Sequence, residues 1–325
     1  MPYSVNLESF DELSDEWERI LPSCITNTIF LTPLWQRTWW MQFGSDAELC
    51  LLSFRQNKGL QGVAPLMLKE GVLSFLGDTD LFDYHDFVVP QGSEDDFYAA
   101  LLDTLDSKVW QTIDLRSLPE KSPTLHHLSS VARERGYVVA VDVEDVTLGI
   151  KLPGSWEEYL AGLTKKDRHE LRRKLRRLDQ WGKSRQYSCE PNDVNASMEE
   201  FFRLMRASGS DKAEFLIPER ERFFRAAAKE LASREQLKLY FLELDGVNVA
   251  SAICFDYGKA SLLYNSGYDP AYSSLSIGLL NKALCLKDAI EEGKKLFDFL
   301  RGSEAYKSDL GGRPDNLYHM LIRRA

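Results

Sequence analysis

Apolar positions in the second half of the chain alternate between helical and strand spacing in a regular order. The pattern predicts two helices, three strands, a further helix and two final strands at 198–207, 218–234, 237–244, 247–257, 260–268, 276–292, 295–300 and 317–323. Asp245-Gly246 and Gly258-Lys259 are tight-hairpin signals, so the three consecutive strands are expected to form an antiparallel meander. Gly293 is a typical helix stop.

The first half shows a similar order. Its pattern predicts two helices, three strands, a helix, a strand, a helix and a strand at 11–21, 33–43, 48–55, 62–69, 72–76, 94–105, 111–115, 123–135 and 137–143. The order helix, helix, three strands, helix, strand therefore occurs twice, which suggests an internal duplication. Antiparallel strands that lead through a helix to a parallel strand predict an α+β fold, with mixed, mostly antiparallel sheets and helices on both faces.

Length and composition support two globular domains. A chain of 325 residues exceeds what one core usually covers, and we place the boundary so that the domains are 1–145 and 146–325. Hydrophobic residues make up 44% and charged residues 28%, which suits a packed core. The amino terminus carries no basic, apolar leader and no run approaches the roughly 20 apolar residues of a membrane span. We therefore expect a cytoplasmic protein without membrane contact.

Charge limits the partners. The net charge of −10 argues against broad nucleic-acid binding. Residues 165–177 are the exception, with eight Lys or Arg against two acids. Thr164 is a helix N-cap signal, and the leucines that follow share one face, so the segment reads as an amphipathic helix with a cationic outer surface. Such a surface is either merely solvated or binds a phosphate-bearing partner, for which Arg172 and Arg176 are candidates.

Four segments carry a family resemblance. They are FLTPLWQRTWWMQFG at 30–44, DYHDF at 83–87, LTKKDRHELRRKLRRL at 163–178 and FDFLRGSEAYKSDLG at 297–311. In this order they resemble the CelD/BcsL-type acetyltransferase-like family of the GNAT superfamily, whose tandem layout is shared with Fem-type aminoacyltransferases. The resemblance implies two tandem GNAT-like domains and transfer of an acyl group to an amine or hydroxyl, with acetyl-CoA or another acyl-CoA as the donor.

The resemblance also implies a coenzyme site in the second half. GNAT enzymes bind the coenzyme pyrophosphate at a turn of Q/R-x-x-G-x-G/A type after the fourth strand. The corresponding residues here run from Ser273 to Gly278, with Ser276 in place of the first glycine and no preceding Arg or Gln. A polar turn before a helix favours anions through free backbone N–H groups and the helix dipole. The alternative is a capped helix that binds nothing. The expected coenzyme contacts are Tyr264, Asn265, Ser274, Leu275, Ser276, Ile277 and Gly278.

Three side chains are candidates for the chemistry that acyl transfer needs, namely a base, an acid and charge stabilisation. Asp298 lies between Phe297 and Phe299, where burial would raise its pKa as a general base requires, although a structural carboxylate is an equal alternative. Tyr306 and Lys307 follow in a loop. The resemblance implies a proton donor to the thiolate for Tyr306 and charge stabilisation for Lys307.

The acceptor is expected near Asp83, Tyr84 and Asp86, together with Tyr268 and Arg301. Polar residues between strands are costly to bury without a purpose, but an ordinary loop explains DYHDF as well. We expect a small polar acceptor, such as a saccharide or nucleotide-sugar, and no metal, because the histidines lack ligand companions. Two other functions remain open, which are aminoacyl-tRNA-dependent transfer and a catalytically degenerate GNAT-like scaffold.

Overall fold

The protein was analysed as a computed structural model that describes residues 3–57 and 59–324. Helices α1–α11 occupy, in chain order, Phe10–Ile20, Pro33–Phe43, Glu94–Asp106, Thr124–Glu134, Trp156–Gly162, Lys165–Trp181, Val194–Ala207, Ser210–Phe215, Pro218–Ser233, Ile277–Glu291 and Ala305–Asp309. Strands β1–β12 occupy Ser4–Leu7, Glu48–Gln56, Gly59–Lys69, Val72–Phe75, Thr112–Pro119, Val138–Lys151, Ser184–Ser188, Leu237–Leu244, Val247–Tyr257, Ala260–Tyr268, Leu296–Arg301 and Arg313–Arg323. The α+β fold class predicted from the sequence is confirmed.

The chain divides into two compact units. The first comprises Met1–Val146 and Asp315–Ala325, and the second comprises Thr147–Pro314. The division lies one residue beyond the expected boundary. The last strand differs from the expectation, because β12 pairs with β5 from Leu317 opposite Pro119 to Arg323 opposite Thr112, and so groups with the first unit.

The first unit has the strand order β1-β2-β3-β4-β5-β12. Its pairs are antiparallel except β4 with β5, which run parallel from Val72 opposite Thr112 to Ser74 opposite Asp114. Helices α3 and α4 pack together, and their buried side chains share one core with β2–β5 and β12. Ser9 begins α1 with a reciprocal hydrogen-bond pair to Glu12, which is a capping box.

The second unit repeats this plan with the order β6-β11-β10-β9-β8-β7, in which β6 takes part through its last residues. Only β10 and β11 are parallel. Asp245 and Gly246 both have positive φ, 49° and 84°, as the tight turn between β8 and β9 requires. Helices α7 and α10 both pack against β9 and β10, and α9 packs against β8.

Candidate functional site

Strands β10 and β11 separate in the middle of the second unit. They pair in parallel only from Ala260 opposite Leu296 to Leu262 opposite Asp298, although β10 continues to Tyr268. A bulge at Tyr264 interrupts the pairing of β10 with β9. Bulges bend a strand and increase its twist. The later part of β10 therefore leaves an edge of backbone groups beside a gap between two strands.

The chain leaves β10 through a short 3-10 helix, Pro270–Leu275, and enters α10 at Ser276. Ser276 has φ 58° and ψ 34°, a left-handed conformation that glycine adopts most easily. Within the described residues, no side chain caps the start of α10. The first backbone N–H groups of a helix have no intrahelical partner, and the helix dipole is positive there. This helix start is thus available to an anion.

A cavity of about 190 Å³ lies at this helix start. Its lining includes residues expected to bind coenzyme or substrate or to act in catalysis, together with three that were not expected. The lining residues are Tyr268, Ser273, Ser276, Ile277, Gly278, Leu279, Lys282 and Tyr306. The structure therefore brings the turn, the end of β10 and Tyr306 together around one space.

Lys282 provides the positive charge of this cavity. It lies one turn into α10, and its side chain is buried with only 8% exposed. Its Nζ donates to the Gly278 carbonyl at 3.1 Å and lies 4.6 Å from the centroid of the Tyr306 ring. Burial, followed by the nearby charge of Lys212, lowers the pKa of Lys282 to about 8. Burial raises the pKa of Tyr306, so its phenol stays protonated at neutral pH.

Lys212 of α8 lies beside the later part of β10. Its Nζ donates to the Ser266 carbonyl and to Asn265 Oδ1, the latter at 3.4 Å. Burial lowers its pKa. This lysine therefore occupies one backbone carbonyl and one side-chain oxygen in the later part of β10.

The other two predicted catalytic residues lie on β11 and on α11, although Lys307 was expected in a loop. Asp298 is the last residue of β11 that pairs with β10, and its Oδ1 accepts a hydrogen bond from the Leu300 N–H at 2.8 Å. Lys307 is 1% exposed and donates to the carbonyls of residues 300, 301 and 302, with Glu304 Oε2 at 2.9 Å. Lys307 therefore anchors residues 300–302, and its catalytic role remains a prediction that this geometry does not favour. Arg301 is half-buried.

Four of the predicted coenzyme contacts do not line the cavity. Tyr264 packs its ring against Phe224 and Phe255, at centroid distances of 5.8 and 5.1 Å. Leu275 is buried, Ser274 is exposed, and Asn265 is turned to Lys212. These contacts to a coenzyme remain predictions.

The basic helix α6 packs against the 3-10 turn and α10 as well as β7. Thr164 caps it as predicted, with its hydroxyl accepting from the Asp167 N–H. Arg172 pairs with Glu157 at 2.9 Å, whereas Arg176 is exposed. Leu171 and Leu178 form the buried contacts of this helix. Its cationic surface is thus on the same unit as the α10 turn.

In the first unit, DYHDF is mostly interior. Asp86 is 0% exposed and accepts hydrogen bonds from the hydroxyls of Thr26 and Thr124 and from the Phe87 N–H. Burial raises its pKa to about 6, against the opposing effect of these donors. Tyr84 is also buried and Asp83 is half-buried. Asp86 therefore joins distant segments of the chain, and acceptor binding by these residues remains a prediction without support from this geometry.

A second cavity of about 510 Å³ lies in the first unit, lined in part by Ser74, Asp78, His85, Asp114 and Arg116. Asp78 accepts from Trp39 Nε1 at 2.8 Å, and Asp114 is paired with His319 and Arg116. Asp78, Asp114 and Arg116 thus already have protein partners. The described residues bring together no cluster of three His, Cys, Asp or Glu side chains suited to a metal ion.

Comparison with known proteins gives a family match in the second unit of the chain. Residues 165–308 match the family described as an acetyltransferase (GNAT) domain, and this range covers α6 to α11. The chain carries a GNAT domain. The GNAT-superfamily membership predicted from the sequence is confirmed. No curated protein sequence matches the chain.

Solved structures share the layout of the whole chain. FemX superposes with a TM-score of 0.69 at 12% identity, covering 97% of this chain and 96% of FemX. The C-terminal domain of a putative lysylphosphatidylglycerol synthetase from Agrobacterium fabrum gives 0.61 at 10% identity, covering 96% and 92%. A tandem GNAT protein from the clavulanic acid biosynthesis pathway gives 0.50 at 10% identity, covering 98% of each chain. At these identities the likeness establishes the tandem GNAT-like fold.

None of the helices in the described part of the chain is long and apolar enough to cross a membrane. Within the GNAT domain, sequence reasoning missed Lys282 and Lys212. One signal was present for Lys282, which interrupts the apolar run from Ile277 to Ile290 where α10 was expected to pack. For Lys212, on a short helix of six residues, no sequence signal indicated burial.

Proposed function

We propose that this protein is an acyltransferase that uses acyl-CoA, with acetyl-CoA as the simplest donor. The observation that carries the proposal is the cavity at the uncapped start of α10, directly after the strand that separates from β11. In the proposed complex the coenzyme pyrophosphate contacts the backbone N–H groups of residues 277–279. The thioester then lies along the later part of β10, where backbone groups can polarise its carbonyl.

The proposed reaction is attack of an acceptor amine or hydroxyl on the thioester carbonyl carbon. The new bond forms to nitrogen or oxygen, the carbon–sulfur bond breaks, and the thiolate takes a proton. Tyr306 is proposed as that proton donor, because it lines the cavity and its raised pKa keeps the phenol protonated. Asp298 is proposed as the group that takes the proton of the acceptor, since it marks the point where β10 and β11 part.

The acceptor is proposed to be a small polar molecule, such as a saccharide or nucleotide-sugar. Tyr268 lines the cavity at the start of α10 from the end of β10, and Arg301 is the last residue of β11, three residues after Asp298. Both flank the region where the thioester is proposed to lie. The exposed Arg176 offers a further positive charge for a phosphorylated acceptor.

Binding of acetyl-CoA to the full chain tests this function. Isothermal titration should show saturable binding, and the melting temperature should rise, because a ligand at about 100 times its Kd stabilises the native state by about 2.7 kcal/mol. Millimolar acetyl-CoA that produces neither heat nor a shift in melting temperature would reject the acyl-CoA donor and favour a degenerate scaffold.

A second candidate is aminoacyl-tRNA-dependent transfer, favoured by the likeness to FemX and by the cationic surface of α6. Backbone phosphate contacts make such binding fall steeply with salt. Retention of charged tRNA at low salt, lost on Arg172→Glu with Arg176→Glu, would support this donor. Acetyl-CoA binding that depends only weakly on salt would oppose it.

A further inference from the structure

Two lysines of the GNAT domain have no acidic partner, and of these Lys282 is buried and Lys212 is half-buried. Lys282 donates to one carbonyl, that of Gly278, and Lys212 donates to Ser266 and Asn265. Over residues 3–57 and 59–324, no carboxylate comes within ion-pair distance of either Nζ. Taking an ammonium out of water is unfavourable unless it is paired and fully hydrogen-bonded.

Lys282 is the less satisfied of the two. An ammonium has three donors, and a single carbonyl accepts from this one. The face of the Tyr306 ring offers a weaker contact. Lys282 lines the same cavity as Ile277, Gly278 and Leu279, whose backbone N–H groups begin α10. A buried cation with unused donors and an uncapped helix start therefore face one space.

The second positive charge strengthens this arrangement. Lys212 is close enough to act on the ionisation of Lys282, and the two cations repel each other. Glu304 is an acid whose charge acts on both lysines, and it is engaged with Lys307 at 2.9 Å. A bound group with two negative charges would offset both lysines and the helix dipole together, whereas a group with one charge would not.

We propose that Lys282, with the charge of Lys212 nearby, is the cation that binds the diphosphate of the donor at the α10 turn. This inference rests on the proposed function, whose donor carries such a group. On this proposal the turn binds an anion although Ser273 stands where the family pattern has Arg or Gln. The positive charge comes instead from Lys282, which lies one turn inside α10. Replacing Lys282 by an uncharged residue would also remove a buried cation that has no acidic partner.

The test uses the full chain and three probes, namely inorganic pyrophosphate, CoA, and pantetheine, which lacks the diphosphate. Lys282→Met removes the charge while keeping an unbranched side chain, and Lys282→Arg keeps the charge. The matched control is Lys287→Met on the same helix, because Lys287 lies outside the cavity and contacts Glu291 at 3.6 Å. Isothermal titration measures each affinity, and thermal unfolding checks each fold.

Lys282→Met is expected to weaken pyrophosphate and CoA at least about tenfold and to leave pantetheine unchanged, because charge-assisted hydrogen bonds are the strong ones. Lys282→Arg should retain most of the affinity, and Lys287→Met all of it. The melting temperature of Lys282→Met should not fall. Wild-type affinity for pyrophosphate in Lys282→Met, an equal loss in Lys287→Met, or no pyrophosphate binding by the wild type would each overturn the inference.

The possible results distinguish a failure of this inference from a failure of the proposed function. Pyrophosphate binding that depends on Lys282, without any binding of acyl-CoA, would keep the diphosphate site and reject the proposed donor. Acyl-CoA binding that is indifferent to Lys282 would keep the donor and reject the role of this lysine.

Discussion

Helices α3 and α10 occupy equivalent places in the two units, and their first turns differ. Each connects two parallel strands that pair over three residues, β4 with β5 and β10 with β11. The first turn of α3 carries Glu94, Asp95 and Asp96, and Glu94 Oε2 accepts from the Gly92 N–H at 2.7 Å. Neither helix has a side-chain cap within the described structure, but the first turn of α10 carries no charge, with Lys282 one turn further on.

This difference in charge determines whether each helix start favours or repels an anion. Carboxylates in the first turn of α3 offset its dipole and stabilise the helix, but they repel an anion. The start of α10 lacks those carboxylates, and in the proposed function its N–H groups contact the anion. Two copies of one arrangement have thus diverged, and we place the coenzyme chemistry in the second unit.

The largest expected effect concerns the buried network of the first unit. Asp86→Ala removes the acceptor shared by Thr26, Thr124 and Phe87. We expect a loss of about 3 kcal/mol in the free energy of unfolding, since several buried donors lose their partner. Urea unfolding measures this loss. Pyrophosphate affinity of the folded variant should equal that of the wild type, and reduced affinity would contradict a purely structural role.

A single acid at the start of α10 should convert it into a helix start like that of α3. Leu279→Asp places a carboxylate in the first turn, at the position that Asp96 holds in α3. Affinity for pyrophosphate should fall by about 2 kcal/mol or more through repulsion in a partly buried site. Titration calorimetry measures this change. The control is Asp96→Leu in α3, which should leave the affinity unaltered. Equal affinities in all three proteins would place the anion elsewhere.

The third prediction concerns pH and Lys282. Its folded pKa of about 8 lies below the ordinary value of 10.5, so between these values the unfolded chain binds more protons and stability rises with pH. The full penalty applies below about pH 8 and is relieved as pH approaches the unfolded value. From about pH 7.5 to about pH 9.5 the wild type should gain about 1 to 2 kcal/mol relative to Lys282→Met.

Several groups act on this titration. Lys212 of α8 lowers the pKa of Lys282, whereas Cys285 of α10, Cys254 of β9 and Glu304 beside α11 raise it, and the Tyr306 ring faces it. Comparison with Lys282→Met at each pH isolates the contribution of Lys282. Parallel stability curves for the two proteins would show that this lysine titrates normally.

The smallest expected effect concerns Ser276. Its left-handed backbone is unfavourable for a residue with a Cβ, so Ser276→Gly should stabilise the protein by up to about 1 kcal/mol. Thermal unfolding measures the gain. Coenzyme affinity should not change, because the backbone already has the conformation that glycine favours. Weaker binding of CoA would instead assign a hydrogen-bonding role to the Ser276 hydroxyl.

Much of the local structure followed from the sequence. The strands β8, β9 and β10 begin and end at the predicted residues, because apolar runs and two hairpin turns define them. The short elements β1, β7, α5, α8 and α11 were not predicted, since a few residues carry little periodic signal. The place of β12 in the first unit depends on pairing with β5, a long-range contact that local pattern does not contain.

The site was less predictable for a physical reason. One cavity is lined by five of the residues predicted for the coenzyme, the acceptor or catalysis, and their roles stay predictions: Tyr268, Ser276, Ile277, Gly278 and Tyr306. The environment of a lysine, however, depends on packing rather than on its neighbours in sequence. Lys307 turns inward because three backbone carbonyls and Glu304 surround its ammonium. Lys282, unremarked in the sequence, is buried beside the turn by the packing of α10.

A crystal structure of the full chain grown with CoA tests the central claim most directly. The account predicts the diphosphate against the backbone N–H groups of Gly278 and Leu279, with Lys282 Nζ within hydrogen-bond distance of a phosphate oxygen. An empty turn under saturating CoA, or a diphosphate bound at another place on the protein, would contradict it.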